Sequence, residues 1–231
     1  MLHAGNVKYP VVLFDIDGTL LDTREFVLAS FEFAFVSLGF APPTREMLVP
    51  QIGRRLEDIY ADFAGGEFAD DLTEIHRSFQ TANLNLAVAY EGVPETLASL
   101  DAEGVRMAAI TSRSRRTSIH SLDRAGIGRF FDTVISAEDT PALKPDPAPL
   151  LAALEALGLT PDAGVAMVGD TAHDIQAGRA IGALTIAAAY GFHGDTVHEA
   201  APDVLINDIA ELPAALGLPG PEPLPQARRE P

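Results

Sequence analysis

Val11-Val12-Leu13-Phe14 is an unbroken apolar run that ends in two carboxylates and a glycine, Asp15-Ile16-Asp17-Gly18. Four apolar residues, two of them β-branched, predict a buried strand. Gly18 lets the chain turn sharply directly afterwards. In open α/β sheets, ligands bind beyond the carboxyl ends of the strands, so Asp15 and Asp17 stand where chemistry is expected. Carboxylates this close do not ionise independently without a compensating cation. A hard divalent ion such as Mg²⁺ accepts oxygen ligands of this kind. Alone, the same residues also suit a strand followed by an Asx-type turn.

The rest of the chain alternates in the same way. Further buried strands are predicted over 105–110, 133–136, 165–168, 184–187 and 204–206. Helices are predicted over 94–103, 115–125, 147–157 and 173–181, with Pro147 in a first turn and Gly158 after a last turn. Strand–helix alternation predicts an α/β fold, a Rossmann-like parallel sheet with helices on both faces. The region between the first two strands reads differently. Helices are predicted over 23–38, 44–49, a stretch after Gly53, and 67–88, with Thr23 and Thr44 as N-caps and no convincing strand. In the first of these, Phe26, Val27, Phe31, Phe33, Ala34 and Val36 form the apolar stripe. Met47 and Leu48 are expected to point inward. The expected division is therefore a core of residues 1–21 and 89–217 and an all-helical cap of residues 22–88. Residues 218–231, rich in proline, form an expected disordered tail.

Composition removes several classes of function. A net charge of −17 over 231 residues argues against nucleic acid and against an anionic membrane surface. An anionic substrate would need a metal and a few well-placed cations. There is no cysteine, which excludes disulfide scaffolds, thiolate metal sites and cysteine nucleophiles. No apolar run is long enough to span a bilayer, and the first ten residues lack a signal-peptide core, so a cytoplasmic location is expected. No sequence feature bears on oligomeric state.

Four polar groups stand at the ends of predicted strands or in the loops after them: Asp15 with Asp17, Thr111 with Ser112, Lys144, and Asp170 with Asp174. Strand tips of a doubly wound sheet converge on one edge. The chain has only two lysines, Lys8 and Lys144, which suggests that a compact ammonium is wanted at position 144.

In this order the groups resemble the haloacid-dehalogenase-like phosphohydrolases with a helical cap after the first strand. D-I-D-G-T-L at 15–20 matches their first motif, and Ile110-Thr111-Ser112 resembles the second. Lys144-Pro145-Asp146-Pro147 looks like the third, and Gly169-Asp170-Thr171-Ala172-His173-Asp174 like the fourth. The resemblance covers about residues 10–216 and is strongest to phosphoglycolate phosphatases and small pyrophosphatases. It implies Asp15 as nucleophile, Asp17 as general acid and then base, and Mg²⁺ held by Asp15, the Asp17 carbonyl and Asp170. It implies Thr111 and Ser112 on the phosphoryl oxygens, with Gly18 and Thr19 beside them, and Lys144 paired with nucleophile and phosphate. Asp174 is expected to orient metal-bound water.

Alternatives remain at the level of single residues. Thr111 and Ser112 would also suit a helix cap, and Asp174 an exposed helical carboxylate. His173 reads as a surface or lid residue, since magnesium prefers oxygen. Arg54 and Arg55 read either as a solvated pair or as partners of an anionic leaving group. Arg113, Arg115 and Arg116 suit either the phosphate or a helix surface.

A carboxylate at position 17 disfavours dehalogenation, because the dehalogenase branch lacks it. The absence of lysine in residues 22–88 excludes the imine chemistry of the phosphonate-cleaving branch. The expected activity is Mg²⁺-dependent hydrolysis of a small phosphorylated substrate, with phosphoglycolate first. Pyrophosphate, a sugar phosphomutase activity and a silent binding protein of the same fold are the alternatives.

Overall fold

The computed structural model describes residues 8–219. The expected tail falls, from residue 220 on, outside the described residues. The strands are β1 (Val11–Phe14), β2 (Leu21–Asp22), β3 (Val88–Ala89), β4 (Arg106–Ile110), β5 (Thr133–Ile135), β6 (Val165–Gly169), β7 (Leu184–Ala188) and β8 (Val204–Ile206). The helices are α1 (Arg24–Ser37), α2 (Arg45–Leu48), α3 (Leu56–Ala64), α4 (Ala69–Ala82), α5 (Val93–Ala102), α6 (Arg115–Arg124), α7 (Ala148–Ala156), α8 (Ala172–Ala180) and α9 (Leu212–Ala215).

Six strands form one parallel sheet in the order β5-β4-β1-β6-β7-β8. The most apolar strand is thus central, with β4 and β6 on either side. Alternate residues of β1 face opposite ways, as the period of a strand requires. Val12 and Phe14 join one core with Leu97 of α5 and Leu122 of α6. Val11 and Leu13 join another with Leu150 and Leu154 of α7 and Ala177 of α8. Burying both faces explains why the strands read as continuous apolar runs rather than as alternating ones. Because β1, β4 and β6 are neighbours, the residues following them share one edge of the sheet.

The segment between β2 and β3 is almost wholly helical. Its core is Phe31 and Phe35 of α1, Tyr60 of α3 and Leu72 of α4, with the Phe31 and Tyr60 rings 5.4 Å apart. The region 22–88 was expected to lack strands, yet β2 and β3 pair antiparallel, Leu21 with Ala89 and Asp22 with Val88. Two residues are too short a run for any periodic signal. Their pairing brings the two crossings of the helical segment to one place.

Three local expectations change. The helix expected over 67–88 ends at Ala82. Asn83 turns its side-chain amide back to the Phe79 carbonyl at 2.8 Å, a local bond that competes with helix continuation. Phe33 and Val36 of α1 lie exposed on the far side from the core, and so does Met47 of α2, while Leu48 is buried. The Thr44 side chain makes no capping bond. Among the described residues, no helix is long and apolar enough to cross a membrane.

Candidate active site

Asp15 extends β1 by one bond, its amide donating to the Val168 carbonyl at 2.9 Å. That bond fixes the carboxylate at the tip of the central strand. Lys144, in the loop between β5 and α7, places its Nζ 2.5 Å from Asp15 Oδ1, 2.6 Å from Asp174 Oδ1 and 3.1 Å from the Ile110 carbonyl. Asp174 sits in the first turn of α8, in a capping box. Its Oδ2 accepts from the Thr171 amide at 3.1 Å and the Thr171 hydroxyl at 2.7 Å. The alternative of an exposed helical carboxylate is thereby excluded, since Asp174 is fully buried with both oxygens engaged.

Asp170 closes the cluster. Its Oδ2 accepts from the Phe192 amide at 2.7 Å, while Oδ1 is buried with no hydrogen-bond partner among the described residues. The His193 ring nitrogen lies 3.7 Å from Oδ2, too far for a hydrogen bond. Gly18 explains how Asp170 reaches this position. Its φ is +85°, and a Cβ there would collide with the Asp170 carboxylate. Asp15, Asp170 and Asp174 offer oxygens within 4.8 Å of one another.

Three buried carboxylates cluster here around one ammonium, which pairs with two of them, Asp15 and Asp174. Burial pushes the Asp15 carboxyl well above the usual carboxylate range; Lys144 opposes this, and Asp174, Asp170 and Asp17 add to it. Burial raises Asp170 too. Burial works against the Lys144 charge, but Asp15 and Asp174 outweigh it and hold the ammonium above its ordinary range. Excess negative charge and the orphaned Asp170 Oδ1 fit a hard divalent cation with oxygen ligands. Both Asp174 oxygens are engaged within the protein, so Asp15 and Asp170 are the better-placed donors.

Asp17 faces the other way around the turn. Its Oδ1 accepts from the Thr23 hydroxyl at 2.7 Å and from Arg113 at 3.0 Å. The Thr23 side chain therefore makes no capping bond to α1, contrary to expectation, because it serves Asp17 instead. Arg113 is buried against Asp17 rather than on a helix surface. Its guanidinium lies 4.8 Å from the Phe26 ring and also bonds the Thr117 carbonyl and the Ser121 hydroxyl. Arg115 instead pairs with Asp139.

A cavity of about 450 Å³ lies over these groups, lined by Asp15, Asp17, Ser112 and Lys144 on the sheet side. Thr111 is buried behind that wall, its hydroxyl accepting from the Arg113 amide at 3.1 Å. The helix cap for α6 is Ser114, not Thr111 or Ser112. Gly18 and Thr19 do not line the cavity either: Gly18 packs on Asp170, and the carbonyl of the buried Thr19 accepts from the Tyr190 hydroxyl. Arg54 and Arg55 do line it, from the helical segment. Arg54 bonds Gln51 at 2.5 Å and Asp62 at 2.8 Å, and Arg55 donates to the Pro141 carbonyl at 2.8 Å. His173 lines it as well, with its imidazole lowered by burial.

The family described as haloacid dehalogenase-like hydrolase matches residues 12–188. Pyrophosphatase PpaX of Bacillus velezensis is 36% identical over 209 residues, covering 89% of this chain and 95% of that protein. Pyrophosphatase PpaX of Halalkalibacterium halodurans is 32% identical, covering 90% and 96%. Among solved structures, one described as a predicted phosphoglycolate phosphatase from Haemophilus somnus superposes with a TM-score of 0.81 at 25% identity, covering 91% of this chain and 99% of that one. CbbY from Rhodobacter sphaeroides, solved with phosphate, shares the fold with a TM-score of 0.75 at 24% identity. With the family matched over most of its length and relatives above 30% identity over about nine-tenths of it, the chain belongs to the haloacid dehalogenase-like hydrolases.

Proposed function

We propose that this chain hydrolyses a small phosphorylated compound by transferring its phosphoryl group to Asp15 and then to water, with Mg²⁺ as cofactor. The observation that carries the reading is the Lys144 bridge between Asp15 and Asp174 beside an unpartnered Asp170 oxygen, with Asp15 and Lys144 lining a cavity. Asp15, Asp170 and the Asp17 carbonyl would hold the metal. When bound, Mg²⁺ supplies positive charge between an anionic nucleophile and anionic phosphoryl oxygens.

Asp15 attacks phosphorus through a carboxylate oxygen, and the bond to the leaving oxygen breaks. Asp17 gives that oxygen a proton and later takes one from the attacking water. Both hydrogen bonds to Asp17 go to Oδ1, which leaves Oδ2 for this exchange. Lys144 keeps the Asp15 oxygen oriented and adds charge at the phosphoryl group. Ser112, which lines the cavity, would meet a phosphoryl oxygen through its amide, with Thr111 fixing the loop behind it. Asp174 acts by holding Lys144. The helices between residues 22 and 88 act as a cap that excludes water from the reacting centre.

Pyrophosphate leads among substrates, because the relatives named for it match nearly the whole chain. Phosphoglycolate, the first expectation from sequence, is the second reading, favoured by the Haemophilus somnus structure. Arg54 and Arg55, on the cavity wall, suit an anionic tail in either case. Initial rates on pyrophosphate, phosphoglycolate and 4-nitrophenyl phosphate, with Mg²⁺ and after chelation, test this. Metal-dependent release of orthophosphate from at least one is expected. Full activity after thorough chelation, or no turnover of any, would refute it.

A further inference from the structure

The cavity holds about 450 Å³, within the range of pockets that enclose drug-sized ligands. Glycolate or a second phosphate fills only a small part of it. Its wall on the helical side is mixed: Arg54, Arg55 and Arg77 line part of it, and another part carries no charge. Val27 and Phe31 of α1 and Ile59 of α3 give it an apolar surface. His76 and Gln80 of α4 adjoin that surface, and both are buried.

Tyr60, His76 and Gln80 form a hydrogen-bonded chain. His76 Nδ1 lies 2.8 Å from the Tyr60 hydroxyl oxygen, and His76 Nε2 lies 3.0 Å from the Gln80 amide. Burial lowers the His76 imidazole to about 3, so the chain is neutral at working pH. Whichever way the Gln80 amide is turned, one of its polar atoms meets His76. The other has no side-chain partner among the described residues and stands at the cavity wall. The arginines that share the cavity have partners of their own: Arg54 bonds Gln51 and Asp62, Arg55 the Pro141 carbonyl, and Arg77 Glu57.

We propose that this chamber gives the enzyme a second class of substrate: phosphate monoesters of alcohols with a flat apolar body and one hydroxyl or carbonyl group that meets Gln80. The inference rests on the Asp15 reaction proposed above. The phosphorus–oxygen bond to the alcohol breaks as Asp15 takes the phosphoryl group. The alcohol oxygen leaves with a proton from Asp17, and water then releases orthophosphate and restores the carboxylate. The apolar body lies against Phe31, Val27 and Ile59, and its polar group satisfies the free Gln80 atom.

The test compares 3-hydroxybenzyl phosphate, benzyl phosphate, ethyl phosphate and pyrophosphate on the full chain with Mg²⁺. kcat/KM should exceed that of ethyl phosphate by at least about tenfold for benzyl phosphate, and rise further for the hydroxybenzyl ester. Gln80→Leu should bring the hydroxybenzyl-to-benzyl ratio to about one. Val27→Phe, which fills the chamber from another helix, should lower benzyl phosphate turnover at least about tenfold more than pyrophosphate turnover. Equal kcat/KM for benzyl and ethyl phosphate in the wild type would overturn the inference, whether or not either variant folds. So would equal loss of benzyl phosphate and pyrophosphate turnover in a folded Val27→Phe. In both cases pyrophosphate or ethyl phosphate hydrolysis would leave the Asp15 reading standing; absence of all turnover would remove both.

Discussion

Lys144→Met should cost stability as well as activity, and the stability loss should depend on pH. In the wild type one ammonium lies within 2.6 Å of two buried carboxylates, Asp15 and Asp174. Methionine fills much of the same volume but carries no charge. Removing one partner of a buried ion pair typically costs about 3–5 kcal/mol, because a charge is left without compensation. With a urea m-value near 3 kcal/mol/M, at the upper end for small proteins, that is a fall in midpoint of about 1–1.7 M. The sign of the pH dependence follows from Asp15. Burial already raises its folded-state carboxyl, and losing Lys144 raises it further. A carboxyl raised on folding favours the folded state when protonated, so its penalty grows as pH rises from the unfolded value through the folded one. The deficit of Lys144→Met should therefore be largest near pH 8 and shrink toward pH 5. Urea titrations of both proteins at the two pH values, in chelator and followed by circular dichroism, measure it. A deficit under about 1 kcal/mol at pH 8, or one that does not change with pH, would refute this account of the cluster.

Asp17→Asn should keep the fold yet lose about 10²–10⁴-fold in turnover. A poor leaving group should suffer more than 4-nitrophenyl phosphate, and equal damage to both would remove Asp17 from the acid role. His76 makes a separate contribution in the helical segment. Burial lowers its imidazole from an ordinary 6.5 to about 3, so between those values the unfolded chain binds a proton that the folded chain refuses. Stability is lost as pH falls from about 6.5, by up to about 1.4 kcal/mol per pH unit. The wild-type stability margin over His76→Gln should consequently shrink by about 1–2 kcal/mol between pH 7 and pH 5 in urea titrations. Parallel pH profiles of the two proteins would contradict that burial.

The sheet was legible because its strands are buried on both faces and so appear as uninterrupted apolar runs. All six predicted strands form, each within a residue or two of its expected bounds. The strand-end carboxylates and Lys144 were legible for the same reason, since strand tips are the one place where sequence order reports spatial convergence. β2 and β3 were not, because a two-residue strand has no period and its partner lies far along the chain. Apolarity alone puts Phe33, Val36 and Met47 inside, and it does not separate a core residue from an exposed one. Thr23 carries the chemistry of a cap, whereas its hydroxyl is drawn to Asp17. Arg113 had no sequence signal to distinguish it from Arg115 and Arg116. Only the fold puts it against Asp17 and the Phe26 ring. The Phe192 amide that holds Asp170, and the Gln80–His76–Tyr60 chain, depend on contacts that no local pattern encodes.

The claim that Asp15 forms the bond to phosphorus is tested most directly by the turnover of Asp15→Asn. The amide has nearly the volume of the carboxylate and can still meet Lys144 through its oxygen, so the fold should persist by circular dichroism. The measurement is the steady-state rate with Mg²⁺ on whichever compound the wild type hydrolyses fastest. A loss of at least about 10³-fold is predicted, in line with removal of a nucleophile in other enzymes. Retention of more than about a tenth of the wild-type rate, with contaminating phosphatase excluded, would contradict the mechanism, since ordinary losses from removing a single catalytic group are far larger.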